Sequence, residues 1–144
     1  MTRLAALAAV LSFAALSTTA EAQKTGAEVY ATCSACHQAN GQGVPGAFPP
    51  LAGSEWVNGK GDIPIAIVLH GLQGPLTVKG QKYNGVMAPW GTTFNDEQIA
   101  AVVTYIRSQW GNKAPAVTKA DVARVRAATK AQKGALTEAA LKKL

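Results

Sequence analysis

Cysteine occurs only at positions 33 and 36 of this 144-residue chain, and histidine only at 37 and 70. A tetrahedral zinc site wants about four N or S ligands, and no further cysteine is there to complete one. Aromatic residues are also scarce, with three Phe, three Tyr and three Trp, and alanine inflates the apolar fraction of 48%. The side chains alone make a thin core. Acidic residues number 8 against 14 Lys and Arg, a balance of +6 that can favour nucleic acid, anionic membrane or acidic protein patches. No stretch has the alternation of a strand-rich domain, and no βαβ pattern surrounds the cysteines as a thioredoxin-like pair would want. Beyond residue 16 there is no apolar run that could span a bilayer.

What is present begins with a leader. Met1, Thr2 and Arg3 form a short basic start, Leu4 to Leu16 is apolar, and Ala20, Glu21, Ala22 give a small-x-small pattern before a cut ahead of Gln23. The apolar run is shorter than the roughly 20 residues of a spanning helix, so residues 1–22 read as a secretory signal peptide and the periplasm as the destination. Cleavage removes Arg3 and Glu21 together, leaving the balance at +6. That compartment argues against nucleic acid as a partner.

The most informative run is Cys33-Ser34-Ala35-Cys36-His37. Two thiols three residues apart can each add across a vinyl group of one porphyrin, and the adjacent imidazole can then ligate its iron. The run therefore reads as a covalent attachment site for one haem c. A disulfide, a zinc half-site or a redox pair would use the thiols without needing His37 beside them. A buried porphyrin would also supply the missing apolar area, at roughly 25 cal/mol per Å² removed from water.

Helices separated by Gly and Pro loops are expected. Thr25 and Glu28 form a capping box, starting a helix near Gly26 that runs into the haem motif. Asn95 and Gln98 repeat the device, followed by Ile99, Val102, Val103, Ile106 and Trp110 at helical spacing, with Gly111 as stop. A shorter helix fits Asp62 as cap, Pro64 in its first turn and Gly71 as terminator. Residues 38–54, rich in Gly and Pro, can wrap a flat ligand. Lys79-Gly80, flanked by Leu76 to Val78 and Gln81 to Tyr83, admits a small hairpin.

His37 takes one axial position of the iron; Met87, His70, a lysine or nothing are the candidates for the other. Met87 is favoured, being the only methionine after the leader and far enough along the chain for the loops to reach the opposite ring face. It sits in what reads as a fixed extended loop, Gly85 to Trp90, where Pro89 holds the approach. Trp90 can pack on the porphyrin edge or donate to a propionate. His70, at the end of the third helix, also fits a plain helix C-terminal cation.

At these motifs the chain resembles the class I, monohaem c-type cytochromes, over roughly residues 25–111. The resemblance rests on Cys33 to His37 near the start, Pro49-Pro50-Leu51 after it, Met87-Ala88-Pro89-Trp90 later, and a terminal helix with Tyr105 and Trp110. It implies an all-α fold, in which the first and last helices cross at Gly26 and Tyr105 above the haem crevice. It also implies that the Pro49 carbonyl accepts from the second ring nitrogen of His37. Ala88 departs from the proline that many relatives carry there, which implies a more mobile Met87 loop. A narrower similarity, over Phe48 to Val57, Leu69-His70-Gly71-Leu72, Gly74-Pro75, Tyr83-Asn84-Gly85 and Met87, is to bacterial respiratory cytochromes and to cytochrome subunits of oxidases or dehydrogenases.

Trp56 and Tyr83 are further candidates to donate to propionates. Lys60, Lys79 and Lys82 lie nearest the haem-side loops, where a ring of lysines would steer a redox partner with acidic docking patches. Residues 23–113 are expected to form the cytochrome domain and 114–144 a basic C-terminal extension. Its Thr118 and Asp121 could cap another helix, its charges could touch a membrane surface or partner subunit, and a flexible solvated tail is the favoured reading. The function expected is one-electron transfer and no enzymatic reaction. The rivals are a haem enzyme or small-ligand sensor with an open distal site, and a subunit of a larger oxidase or dehydrogenase. Because the side chains alone make so thin a core, the haem-free protein should be largely unfolded. Far-UV circular dichroism of the Cys33→Ala, Cys36→Ala double variant checks this, and a cooperative native-like melt would refute it.

Overall fold

Gly26 has no room for a side chain, and that fact locates the centre of the architecture. The computed structural model describes residues 24–144, so the expected signal peptide and its cut lie outside the described residues. In chain order the elements are α1 (Gly26–His37), α2 (Glu55–Asn58), α3 (Asp62–His70), β1 (Leu72–Val78), β2 (Gln81–Met87), α4 (Asp96–Ser108), α5 (Lys119–Ala128) and α6 (Glu138–Leu141). A Cβ built at Gly26 would lie 2.4 Å from the Ala101 carbonyl oxygen and 2.7 Å from Tyr105 Cβ, so α1 and α4 cross there backbone to backbone. Both helices open on reciprocal capping boxes, Thr25 with Glu28 and Asn95 with Gln98. Val29, Ile65, Ile99, Val102 and Val103 fill the core between these two helices and α3.

Three local departures from expectation have physical causes. Asp62 is the first residue inside α3 and not its cap; Gly61 takes the cap position with no side-chain bond, because the Asp62 carboxylate is engaged by Arg124 at 2.8 Å. Trp110 falls beyond the end of α4 with φ 53°, and packs on Tyr30 at 5.0 Å between ring centroids. The helical stripe therefore ends at Ile106. Ser54 caps the short α2, which sequence periodicity did not indicate.

The hairpin is also longer than expected, which qualifies the all-α description with a two-stranded antiparallel sheet. Its register runs from Val78 opposite Gln81 to Leu72 opposite Met87. Lys79 and Gly80 both have positive φ, 51° and 77°, the geometry of the tight turn whose twist matches paired strands. Met87 is consequently the last residue of a strand and not part of a free loop.

Residues 114–144 are not a solvated tail. Val122, Val125, Leu136 and Leu141 are buried in the core cluster, with α5 packed on α3 and α4. Leu136 pairs with the outer edge of β1, donating to the Gly71 carbonyl at 3.0 Å and accepting from the Gln73 amide at 2.8 Å. The Glu138 carboxylate accepts from the Thr77 amide at 2.9 Å. Arg107, buried on α4, donates to the Pro115 carbonyl at 2.8 Å and to the carbonyls of Val57 and Gly59, tying the extension's start to the segment around α2. Four of the seven cations in the extension are paired with carboxylates, including Arg126 with Asp96 and Lys119 with Glu97. This reduces what the extension could offer an anionic membrane. No helix of the described residues is long and apolar enough to cross one.

Leu141 is fully buried, so truncating it should leave a cavity. Leu141→Ala is expected to lower the unfolding free energy by about 2–4 kcal/mol in denaturant titration. A loss below about 0.5 kcal/mol, the size of an ordinary surface change, would mean that the extension is not packed as described.

Candidate functional site

α1 delivers Cys33, Cys36 and His37 at i, i+3 and i+4, which places all three on one helix face. Both thiols are free; Cys33 is half-buried and Cys36 exposed. Burial, and secondarily the neighbouring Cys36, pushes the Cys33 thiol up to about 11, so it is protonated at neutral pH. His37 is buried at the helix end. One of its ring nitrogens, Nδ1, lies 2.9 Å from the Pro49 carbonyl oxygen. A carbonyl can only accept, so Nδ1 carries the proton and Nε2 keeps its lone pair. Among the described residues Nε2 has no hydrogen-bond partner. Burial lowers the imidazole pKa, with the Pro49 bond opposing, so the net effect favours the neutral ring that a metal requires.

Pro49 is held in place by two devices. Gly43 donates to the His37 carbonyl at 2.9 Å and has φ 64°; a Cβ there would sit 2.2 Å from the Phe48 oxygen and 2.7 Å from the Pro49 oxygen. Only glycine lets the backbone pass at this distance. The second device is Asn112, which is 4% exposed. Its amide nitrogen donates to the carbonyls of Leu51 at 3.1 Å and Ile106 at 2.7 Å, while its oxygen accepts from the Gly53 amide at 2.9 Å and the Asn58 side chain at 2.8 Å. Four bonds from one buried side chain thus join the loop after Pro49 to α2 and α4. Sequence reasoning passed over Asn112, because a lone asparagine after a helix-ending glycine looks like any turn residue.

Met87, at the end of β2, borders the same space. β2 positions it from one side, and the following backbone is pinned to α3 by the amides of Trp90 and Gly91, bonded to the carbonyls of Val68 at 2.8 Å and Leu69 at 3.2 Å. The proline missing at position 88 is thereby replaced by strand pairing and two backbone bonds. His37 and Met87 both border a cavity of about 260 Å³ and a neighbouring one of about 80 Å³. Cys33, Pro49, Leu72 and Leu76 border both as well, so these form one cleft with apolar walls. Cys36, Tyr83 and Trp90 border the larger part.

Several expected roles change. His70 is not in the cleft; its Nε2 donates to the Thr129 hydroxyl at 2.7 Å, which in turn donates to the Val125 carbonyl. The extension has captured it. Trp56 borders the smaller cavity, but its indole N–H donates to the Thr77 carbonyl at 2.8 Å, leaving it nothing to offer a propionate. The lysines expected to ring the cleft do not border it. Lys60 reaches the Leu144 carbonyl at 3.3 Å and Lys79 the Ala52 carbonyl at 3.4 Å, each drawn along the surface to a backbone acceptor. Lys82 stands on β2 opposite Thr77, pointing with the alternation away from Tyr83. None of the three therefore lines the cleft itself.

The residues of the cleft fit a covalently held haem. Two unpaired thiols, a neutral imidazole with an available lone pair and a thioether border one apolar space. Among the described residues no group of three or more His, Cys, Asp or Glu could hold a bare metal ion.

Comparison with known proteins agrees with that chemistry. The family model described as Cytochrome c matches residues 23–110. Cytochrome c-552 of Thermus thermophilus is 49% identical over 107 residues, covering 72% of this chain and 72% of that protein. The cytochrome c subunit of the alcohol dehydrogenase (quinone) of Gluconacetobacter polyoxogenes is 39% identical over 105 residues, 70% of this chain but 22% of the subunit. The gluconate 2-dehydrogenase cytochrome c subunit of Pantoea cypripedii is 40% identical over 110 residues, 72% of this chain and 24% of the subunit.

Replacing Asn112 by Ala would leave buried donors and acceptors of Leu51, Gly53, Asn58 and Ile106 without their partner. Each such group costs about 1–3 kcal/mol where water cannot reach it, and Asn112→Ala is expected to destabilise by about 2–4 kcal/mol in guanidinium unfolding. A change within about 0.5 kcal/mol would show that the network does not brace the loop.

Proposed function

Because the chain belongs to the cytochrome c family, we propose that it is a periplasmic one-electron carrier whose haem iron is ligated by His37 and Met87. Its cofactor is haem c, covalently attached, and its activity is electron transfer. Cys33 and Cys36 would hold the porphyrin through thioether bonds, each thiol adding its S–H across one vinyl group. When bound, the haem supplies an iron that gains or loses one electron.

The observation that carries this reading is the common cleft. His37 offers Nε2 from one wall, and Pro49 fixes the ring's tautomer and orientation by accepting from Nδ1. Met87, bordering the same space, would offer a soft sulfur, a ligand that favours reduced iron. Leu72, Leu76 and Pro49 keep water from the space between them. Tyr83, whose hydroxyl has no partner among the described residues, and Trp90, stacked on Phe94 at 5.5 Å, border the same cavity and would donate to propionates. Two relatives are named as cytochrome c subunits of dehydrogenases, which favours a dehydrogenase as electron donor, met by a free carrier or by a subunit of such a complex.

The ferric protein should show the weak near-infrared band of sulfur-to-iron charge transfer, and Met87→Ala should abolish it and lower the reduction potential. A wild-type protein that lacks this band and binds carbon monoxide quickly when reduced would instead have an open distal site, as an enzyme or sensor requires.

A further inference from the structure

We propose that Arg107, a cation buried behind the wall of the cleft, holds the reduction potential up and so sets the driving force of electron transfer. The proposal rests on the electron-carrier reading, since only a group that gains and loses an electron in the cleft would respond to a fixed charge beside it.

Arg107 is 3% exposed and is the one buried Asp, Glu, Lys or Arg among the described residues. None of the ion pairs among those residues includes it. Its Nε donates to the Pro115 carbonyl at 2.8 Å, and its Nη1 donates to the carbonyls of Val57 and Gly59. Such partners are neutral dipoles, so the guanidinium keeps its net charge. The carboxylates of neighbouring elements are committed elsewhere, Asp62 to Arg124 and Glu55 to the Lys79 amide. Burial lowers the guanidinium pKa, but an arginine starts so far above neutrality that it stays charged.

Bracing does not by itself call for a charge. Asn112, just beyond the same end of α4, satisfies four partners while neutral, whereas a buried ion must offset the loss of its water. What distinguishes Arg107 is where its charge lies. Val57, whose carbonyl it grips, and Ile106, the residue before it, both border the smaller part of the cleft together with His37 and Met87. The guanidinium is therefore bonded to a residue of the wall itself. No Asp, Glu, Lys or Arg stands on the cleft border to offset it.

Electrostatics fixes the direction of the effect. When one electron passes to an acceptor protein the haem iron becomes one unit more positive, and a fixed cation nearby opposes that change. Water and salt would screen the same charge on a surface lysine, but they are kept from Arg107. The reduced form is favoured, in the same direction as a thioether ligand favours it.

The test is a solution redox titration of the intact haem-bearing protein with three replacements. Arg107→Gln and Arg107→Met both remove the charge, the first keeping an N–H donor, while Arg107→Lys keeps the charge and loses the planar fork. At a fixed ambient potential the ratio of oxidised to reduced protein should rise about three- to tenfold in both neutral variants, a fall of about 30–60 mV for a one-electron couple. Arg107→Lys should stay within about twofold of the wild-type ratio. Arg107→Lys and Arg107→Gln should both unfold at lower guanidinium concentration, so a merely structural role would shift their potentials alike. The fall in the neutral variants should persist in about 1 M salt, where the screening length is about 3 Å, and the near-infrared sulfur band should remain in every variant. Equal potentials in the lysine and neutral variants, or a fall that salt removes, would overturn the proposal. So would loss of the band in a neutral variant, which would mean that Arg107 acts by placing Met87. Failure of the electron-carrier reading would look different: the wild-type protein itself would show no reversible one-electron step.

Discussion

The hydrogen bond from His37 Nδ1 to the Pro49 carbonyl decides which nitrogen faces the cleft, and much of the architecture serves to keep its two ends 2.9 Å apart. Without it the imidazole could adopt either tautomer and rotate about its side-chain bonds, so a lone pair would be aimed at the cavity only part of the time. His37 is fixed because it closes α1, whose start is capped and whose Gly26 is locked against α4. Pro49 is fixed because Gly43 allows the loop to fold back on itself, and because Asn112 anchors that loop two residues later to the end of α4. The two ends of the bond are thus tied to the same pair of crossed helices by different routes.

The second wall depends on a different constraint, the pairing of β1. Leu72 stands opposite Met87 on the inner edge and beside Leu136 on the outer edge, so one residue of β1 is held from both sides. An isolated two-stranded hairpin is marginal in water. Here it gains a partial third strand from the extension, a carboxylate on the Thr77 amide, and burial of Leu76, Val78 and Tyr83 against the core. The extension also occupies His70 through Thr129, which removes a rival imidazole from the vicinity of the cleft. Residues 114–144 therefore act on the site without bordering it.

What could be read from sequence alone follows from the range of each interaction. Thr25 with Glu28, Asn95 with Gln98 and the Cys33 to His37 run are signals contained within a few residues, and their local structures are legible because the physics is local. The hairpin was legible only at its turn, since Gly74, Pro75 and Gly85 look like loop residues; cross-strand pairing and the extension, both distant in sequence, make them strand. Trp56 was misread for the same reason: nothing near it reveals that the Thr77 carbonyl, 21 residues on, will take its N–H. The extension looked solvated because seven cations outweigh its few large apolar residues, yet Val122, Val125, Leu136 and Leu141 are spaced to bury and the cations to pair. Asn112 left no sequence trace, because its value lies in four partners from three separate segments.

Charge placement connects these observations. A protein whose cleft must exclude water cannot line it with ions, because desolvating each one would oppose the apolar burial that holds the fold around its ligand. Solubility still requires charge, and the chain meets that need by carrying cations on α5 and in the segments after it, where Asp62 of α3 and Asp96 and Glu97 of α4 balance several of them. Exposed pairs of this kind contribute only about 0–1 kcal/mol each to stability. The distribution is spatial: the extension that braces β1 carries seven cations, while residues 29–54 and 83–95 around the cleft carry no Asp, Glu, Lys or Arg.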